Sequence, residues 1–355
     1  MEKKIKNRPM NRKPLPLTIR SRNQTCRILT DDTLTGLSRL TGGRRTLVLA
    51  DRRVARLHRD RMPRWETIRI SAGEKTKTIP EARRVYRKLM GRGLDRSGFL
   101  VGIGGGTLTD LCGFVAATYL RGIGFGFVPT TLLGAADAAI GGKNGLNFSR
   151  FKNLIGTIRQ PDFVYVHPGF FATLPPVQVK NGLAEIIKHA LIADPDLFED
   201  LESRDPSFCR PETGDWAGIL YRSQIIKAGI VRKDEQEKGV RRTLNFGHTL
   251  GHALERRYRL SHGEAVSMGM AAATRLSVRL SLLETDCSRR IIALLRRFRL
   301  PVDLPGGMRG MMKAIRRDKK RIGDQVQMVL LSGIGQPLIR PMSIRDLREK
   351  IDDLP

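Results

Sequence analysis

The chain has 355 residues, 40% of them hydrophobic and 28% charged, with a formal net charge of +29. That length accommodates two domains, each with its own core, and no apolar run approaches the length of a membrane-spanning helix. The four cysteines, Cys26, Cys112, Cys209 and Cys287, are far apart and form no Cys-x-x-Cys pair, which argues against a thiolate zinc finger and a disulfide framework.

The positive charge invites a nucleic-acid reading. Against it, lysines and arginines are spread along the whole chain, aromatics are only 6%, and no aromatic-rich strand for stacking bases is visible. Dispersed charge of this kind reads as solvated surface that steers an anionic small molecule, with no nucleic-acid partner. The N-terminus lacks the apolar segment of a secretory signal, so a cytoplasmic protein is expected. Residues 1–14, rich in Lys, Arg, Asn and Pro, read as a flexible basic tail.

In chain order, RTLVLA at 45–50 reads as a buried strand ending in Asp51. An acid at that place either accepts hydrogen bonds from a dinucleotide ribose or caps the next helix. A strand at 67–70 leads to the loop holding Glu74 and Lys77. Residues 79–94 form an amphipathic helix with Pro80 in its first turn. A buried strand then runs from Gly98 into Gly104-Gly105-Gly106, and an apolar segment carrying Asp110 follows. Glycines between strand and helix let backbone approach a pyrophosphate, whose charge the helix N-terminus favours. Another strand, 123–128, ends at Pro129-Thr130-Thr131. The stretch from Asp137 to Gly156, with Lys143, Asn144, Lys152 and Asn153, reads as loops suited to an anionic, hydroxyl-rich ligand. Phe163 to Val166 is the last strand of this half.

From Pro175 the pattern becomes helical. LAEIIKHAL at 183–191 places an apolar stripe with Glu185 and Lys188 off its centre, read either as an exposed ion pair or as a carboxylate ligand with a neighbouring cation. Further helices are expected at 216–233, 265–283, 287–298 and 344–351, and a strand at 326–331. Three of the six histidines fall in LNFGHTLGHALERRYRLSHGEAV, residues 244–266. His248 and His252 share one helix face, and Ser261 with Glu264 forms a capping box that puts His262 at the start of the next helix. Two histidines from one segment and a third from another read as a partial metal set, or as a solvated or packed pair.

The ordered blocks GEKTK, GGGTLTDLCGFVAATYLRG, VPTTLLGAADAAIGGKNGLN, FKNLIG, GLAEIIK, LNFGHTLGHALE, HGEAV and DKK resemble the 3-dehydroquinate synthase family of sugar-phosphate cyclases. The resemblance implies an α/β fold: a Rossmann-like NAD-binding domain over 15–167 and a mostly α-helical metal- and substrate-binding domain over 168–355. It implies a divalent metal, zinc or cobalt, on Glu185, His248 and His262. NAD contacts would come from Asp51, Glu74, Lys77, Gly105, Gly106, Asp110, Thr130, Thr131, Lys143, Lys152 and Thr173. The substrate pocket would use Arg121, Asp137, Lys143, Asn153, Lys188, Lys227, Arg241, Asn245, His252 and a lysine of the Lys319-Lys320 pair.

The activity implied is conversion of 3-deoxy-arabino-heptulosonate 7-phosphate to 3-dehydroquinate and phosphate, in the shikimate pathway, by a homodimer. The chain departs from the family pattern at Ala138 and Ala139, where serines are common, and at Asn144, where threonine is usual. Relatives that cyclise other sugar phosphates alter parts of the set matching Lys227, Asn245 and His252, all retained here. The competing readings are a cyclase for another sugar phosphate, a polyol-phosphate dehydrogenase, and an RNA-binding protein on an enzyme scaffold.

Overall fold

The computed structural model describes residues 15–21, 24–31, 33–71, 73–149, 151–210, 216–303 and 325–351. The 1–14 tail and Lys319 and Lys320 lie outside the described residues. The first half runs β1 (Leu17–Arg20), β2 (Thr25–Thr30), α1 (Leu37–Leu40), β3 (Thr46–Asp51), α2 (Arg52–Leu57), β4 (Glu66–Ile70), α3 (Ile79–Gly91), β5 (Phe99–Gly104), α4 (Gly106–Thr118), β6 (Gly124–Pro129), β7 (Lys143–Phe148), β8 (Phe151–Ile158) and β9 (Phe163–Val166).

Seven of these strands form one sheet in the order β1-β2-β9-β6-β5-β3-β4. All its pairings are parallel except β1 with β2. Every residue of β5 is buried, as expected of a strand covered on both faces. Because β3, β5 and β6 are adjacent and parallel, their carboxyl ends share one edge. Asp51, Gly105 and Thr130 are thereby brought side by side from sequence positions far apart.

One segment differs from the sequence reading. The stretch expected as loops contains an antiparallel hairpin, β7 with β8, in register Lys143↔Ile158 and Asn144↔Thr157. Glycines and polar residues conceal the strand alternation. Asn144 is buried, and its Nδ2 donates to the carbonyls of Gly142 and Arg159, both at 3.0 Å, tying the hairpin mouth together. A Cβ on Gly113 of α4 would collide with the Asn144 side chain, so helix and hairpin lie in close contact. The N-terminal strands β1 and β2 and the last strand of the chain were also not legible from pattern alone.

The second half comprises α5 (Pro176–Ala193), α6 (Pro195–Ser203), α7 (Trp216–Lys233), α8 (His248–Tyr258), α9 (His262–Arg279), α10 (Thr285–Arg297), the hairpin β10 (Gln325–Gly333) with β11 (Gln336–Ser343), and α11 (Ile344–Ile351). α5 is buried on nearly every side from Val179 to Ile192, lying against α6, α7, α9 and the turn at 134–138. One apolar cluster runs from Ile19 of β1 to Leu331 of β10, so the core is continuous through both halves. A second cluster joins β10, β11, α8, α9 and α11. Among the described residues no helix is long and apolar enough to cross a membrane.

Candidate active site

The site is built on α5. Glu185 and Lys188, one turn apart, are 0% and 1% exposed, so the reading of an exposed surface pair does not hold. Between Asn181 and Ile192 the neighbours of α5 leave it no solvent face. The two side chains form a buried ion pair, and Glu185 Oε1 also lies 2.8 Å from His262 Nε2 and 3.3 Å from His248 Nε2. Gly247 precedes α8 with φ 76°, and α8 opens directly on His248. α9 opens on His262 behind the capping box, in which Glu264 Oε2 accepts from the Ser261 backbone N–H at 2.9 Å. Two helix starts thus aim two imidazoles at one carboxylate.

The ligand atoms of Glu185, His248 and His262 lie within 4.8 Å of one another. His248 Nδ1 faces the Phe246 carbonyl at 3.2 Å, which assigns the proton to Nδ1 and leaves the Nε2 lone pair directed into the cluster. A carboxylate and two imidazoles are the donor set of a catalytic zinc-type site with an open position. These residues fit a divalent metal. Burial would push the Glu185 carboxyl up, but Lys188 and His248 hold it well below the usual carboxylate range. It is therefore ionised and ready to ligate. Burial lowers His248; burial also pulls on His262, but the bond to Glu185 and the charges of Glu185, Glu255 and Asp137 together outweigh it and raise His262.

Beside this cluster stands Asp137, carried on a single π turn, Gly134–Ala138. Helix α7 grips that turn at two carbonyls: Gln224 Nε2 donates to Ala135 O at 3.0 Å and Lys227 Nζ to Asp137 O at 2.7 Å. Asp137 Oδ1 also meets Lys227 Nζ at 2.5 Å, Lys188 Nζ at 3.7 Å and His189 Nε2 at 3.5 Å. Burial favours the neutral acid, yet Lys227 and Lys188 hold Asp137 well below its ordinary range. Burial draws the Lys227 ammonium down to about 8 despite Asp137. Asp137, Glu185 and His189 also come close enough to hold a cation. In this second group Asp137 Oδ1 is already taken by Lys227 Nζ at 2.5 Å, whereas the first group has an oxygen and two imidazole nitrogens facing one another.

Next to the π turn, Gly141 and Gly142 adopt φ 111° and 71°, a backbone that L side chains rarely take. Arg241 fits against that bend, its NH2 donating to Gly141 O at 2.8 Å. Lys143 ion-pairs with Glu237, which accepts from Asn245 Nδ2 at 2.6 Å. Lys152 pairs with Glu255 of α8 at 2.7 Å, and the His252 ring stands edge-on to His248 at 5.3 Å. Both lysines of the β7–β8 hairpin are thus held by acids of the second half.

At the carboxyl edge of the sheet, Gly105 caps α4 with no side chain occupying the cap. A Cβ on Gly105 would sit 3.0 Å from Thr131 Cγ2, and one on Gly106 would sit 2.9 Å from Ala138 Cβ. This side-chain-free helix start is what a pyrophosphate requires, and it fits a dinucleotide. Asp51 does cap α2, its Oδ1 accepting from Arg53 N at 2.7 Å. A carboxylate has a second oxygen, so the cap does not preclude a ribose contact. Lys77 is buried between Asp110 and Asn153, and Glu74 Oε1 accepts from Asn147 Nδ2 at 2.8 Å. Thr173 Oγ1 meets His58 Nε2 at 2.8 Å.

Arg121 is not brought to this assembly within the chain. It follows the C-terminal end of α4, whose 13 residues carry it about 20 Å from the Gly105 edge. The sequence reading did not single out His189, Ser223, Gln224, Glu237, Glu255 or His58. The one available signal for His189 was its place beside Lys188 in the LAEIIKHAL segment. The others gave no signal, because their partners lie far along the chain.

A doubly wound NAD-type edge facing a buried carboxylate, two histidines and a cluster of cations defines a dinucleotide- and metal-dependent enzyme class acting on an anionic small molecule. Residues 67–181 match the 3-dehydroquinate synthase N-terminal domain and residues 182–321 the C-terminal domain. The chain belongs to the 3-dehydroquinate synthase family. It is 43% identical to the 3-dehydroquinate synthase of Gloeobacter violaceus over 76% of each chain, and 40% identical to that of a Synechococcus strain over 84% of this chain and 86% of the relative. Among solved structures it is similar to a 2-epi-5-epi-valiolone synthase from Streptomyces hygroscopicus with NAD+ and Zn2+ bound, at 29% identity and TM-score 0.82, covering 91% of this chain and 94% of that one.

Proposed function

We propose that the chain is a 3-dehydroquinate synthase, converting 3-deoxy-arabino-heptulosonate 7-phosphate to 3-dehydroquinate and phosphate. The observation that carries the reading is the joining of Glu185, His248 and His262 to the Asp137–Lys188–Lys227 cluster around one buried point. The metal and NAD, when bound, supply Lewis-acid polarisation of a hydroxyl and reversible hydride acceptance. Glu185, His248 and His262 would hold the metal. Gly105, Gly106, Thr130 and Thr131, with Asp51, Glu74, Lys77, Asp110, Lys143, Lys152 and Thr173, would hold NAD.

The protein groups divide the remaining work. Lys188, Lys227 and Arg241 bind the anionic ends of the substrate; Lys143 and Asn245 do so after release from Glu237. Asp137 keeps two ammoniums charged in a buried place. Asn153 orients substrate hydroxyls, and His252, beside the metal ligands, moves a proton in the phosphate region. Arg121 and the Lys319-Lys320 pair complete the proposed substrate set. The resemblance also supports a cytoplasmic homodimer, with an NAD-binding domain over 15–167, a metal- and substrate-binding domain over 168–355, and no nucleic-acid partner.

The test is release of phosphate from 3-deoxy-arabino-heptulosonate 7-phosphate in the presence of NAD and zinc, with product identified by mass spectrometry. Equimolar phosphate and dehydroquinate without net NADH is expected. Net NADH would point to a dehydrogenase instead, and no turnover of this substrate by metal-loaded protein would move the assignment to another sugar phosphate.

Lys227 gives this site a pH signature. Its ammonium, drawn down to about 8, is charged below that pH and loses charge above it. The substrate KM should therefore rise as pH increases through about 8, and the limb should move to higher pH in Lys227→Arg, which keeps its charge. An unchanged limb in that variant would assign it to another group.

A further inference from the structure

We infer that His189 is a positioning residue for Asp137: held by Ser223 of α7, its imidazole presents Nε2–H to Asp137 Oδ1 and fixes the carboxylate between Lys188 and Lys227. The inference rests on the proposed role of Asp137 in turnover. His189 is fully buried on α5, a place where an imidazole costs stability unless both nitrogens are met. Nδ1 is met by Ser223 Oγ at 2.7 Å, and Ser223 is itself fully buried. Nε2 makes no hydrogen bond within ordinary limits but lies 3.5 Å from Asp137 Oδ1, the oxygen that also serves the two lysines.

This geometry assigns the tautomer. A nitrogen facing a carboxylate carries the proton, so Nδ1 accepts from the Ser223 hydroxyl. Burial supports a neutral ring by drawing His189 down to about 4. A ring placed only to fill space would need no polar group aimed at Asp137. A ring placed to bind metal would not share its carboxylate with two ammoniums. A third donor instead stops the carboxylate from turning toward one lysine and away from the other. Hydrogen bonds of this kind are often long without ligand and shorten when substrate closes the site.

Three variants test the inference against the wild-type enzyme. His189→Phe keeps the volume and removes the donor; kcat should fall about 10- to 150-fold, the size of one hydrogen bond to a charged group, with NAD affinity unchanged. His189→Gln, which can return an N–H near the Nε2 position, should recover most of that loss. Ser223→Ala should lower kcat a few-fold alone and add nothing to His189→Phe. Wild-type kcat in His189→Phe, or equal losses in the Phe and Gln variants, would overturn the donor role. Should His189→Phe not fold, Ser223→Ala decides by the same comparison. Independently of turnover, 15N-histidine NMR of the wild-type protein, with the His189 signal assigned by its loss in His189→Gln, should show the Nε2–H form. An Nδ1–H ring would overturn the inference even in an active enzyme, whereas failure of the wild type to turn over 3-deoxy-arabino-heptulosonate 7-phosphate would overturn the function reading and leave the tautomer to be read by NMR.

Discussion

Glu185→Gln is expected to lose bound metal on dialysis and to lower kcat/KM by about three orders of magnitude or more, corresponding to several kcal/mol of lost transition-state stabilisation. The side chain keeps its shape, so the loss would report charge. A neutral amide ligates a divalent ion poorly, and it also leaves Lys188, 1% exposed, without its closest anion. His248→Ala and His262→Ala should lose metal as well, while leaving the Lys188 pair in place. The measurement is metal content by mass spectrometry alongside steady-state rates, with the thermal midpoint recorded with and without zinc. Binding to the folded state alone should raise that midpoint for the wild type and not for Glu185→Gln. A fully metallated, active Glu185→Gln enzyme would remove this triad from the mechanism.

The second large effect belongs to Asp137, through stability as well as rate. Its carboxylate faces Lys227 at 2.5 Å and Lys188 at 3.7 Å, both ammoniums buried. Asp137→Asn removes the anion and leaves the cations, and breaking a buried pair from one side costs about 3–5 kcal/mol. The midpoint of urea unfolding should fall with little change in slope. Adding Lys227→Met should restore part of the stability, because it removes one stranded charge, but none of the activity. Simple additivity of the two losses would mean that the pair is not coupled. The sign of the acid dependence follows from the same arrangement. Asp137 and Glu185 are both held well below their ordinary ranges, so their stabilisation is present above the unfolded carboxylate range and disappears as pH falls through the folded values.

Local signals were legible in the sequence where chemistry and periodicity coincide within a few residues. The strand that becomes β5, the helix start at Gly105-Gly106, the helix carrying Trp216 to Lys233 and the capping box at Ser261 all rest on short-range rules, and the structure forms each of them. The histidines at 248 and 262 were legible as a partial metal set, and the family resemblance joined Glu185 to them; spacing alone could not, because Glu185 reaches them from 63 and 77 residues away. The burial of Lys188 was not legible at all. Periodicity identifies an apolar stripe, but it cannot say that a helix is enclosed on its other faces too. The β7–β8 hairpin escaped for a related reason: its side chains answer to Gly113 and to the acids Glu237 and Glu255, and those partners replace the apolar alternation by which a strand is recognised.

The order of the strands has a consequence for how the chain is made. β2 pairs with β9, Arg27 against Phe163 and Thr30 against Val166, and β1 is joined to the sheet only through β2. A ribosome synthesises the N-terminal hairpin first, yet its parallel neighbour emerges on the order of ten seconds later at ordinary elongation rates. Throughout that interval an apolar hairpin edge carrying Ile19, Cys26 and Ile28 waits without its neighbour. Chaperone capture during translation, or aggregation of truncated chains that end before residue 163, would be concentrated on this edge.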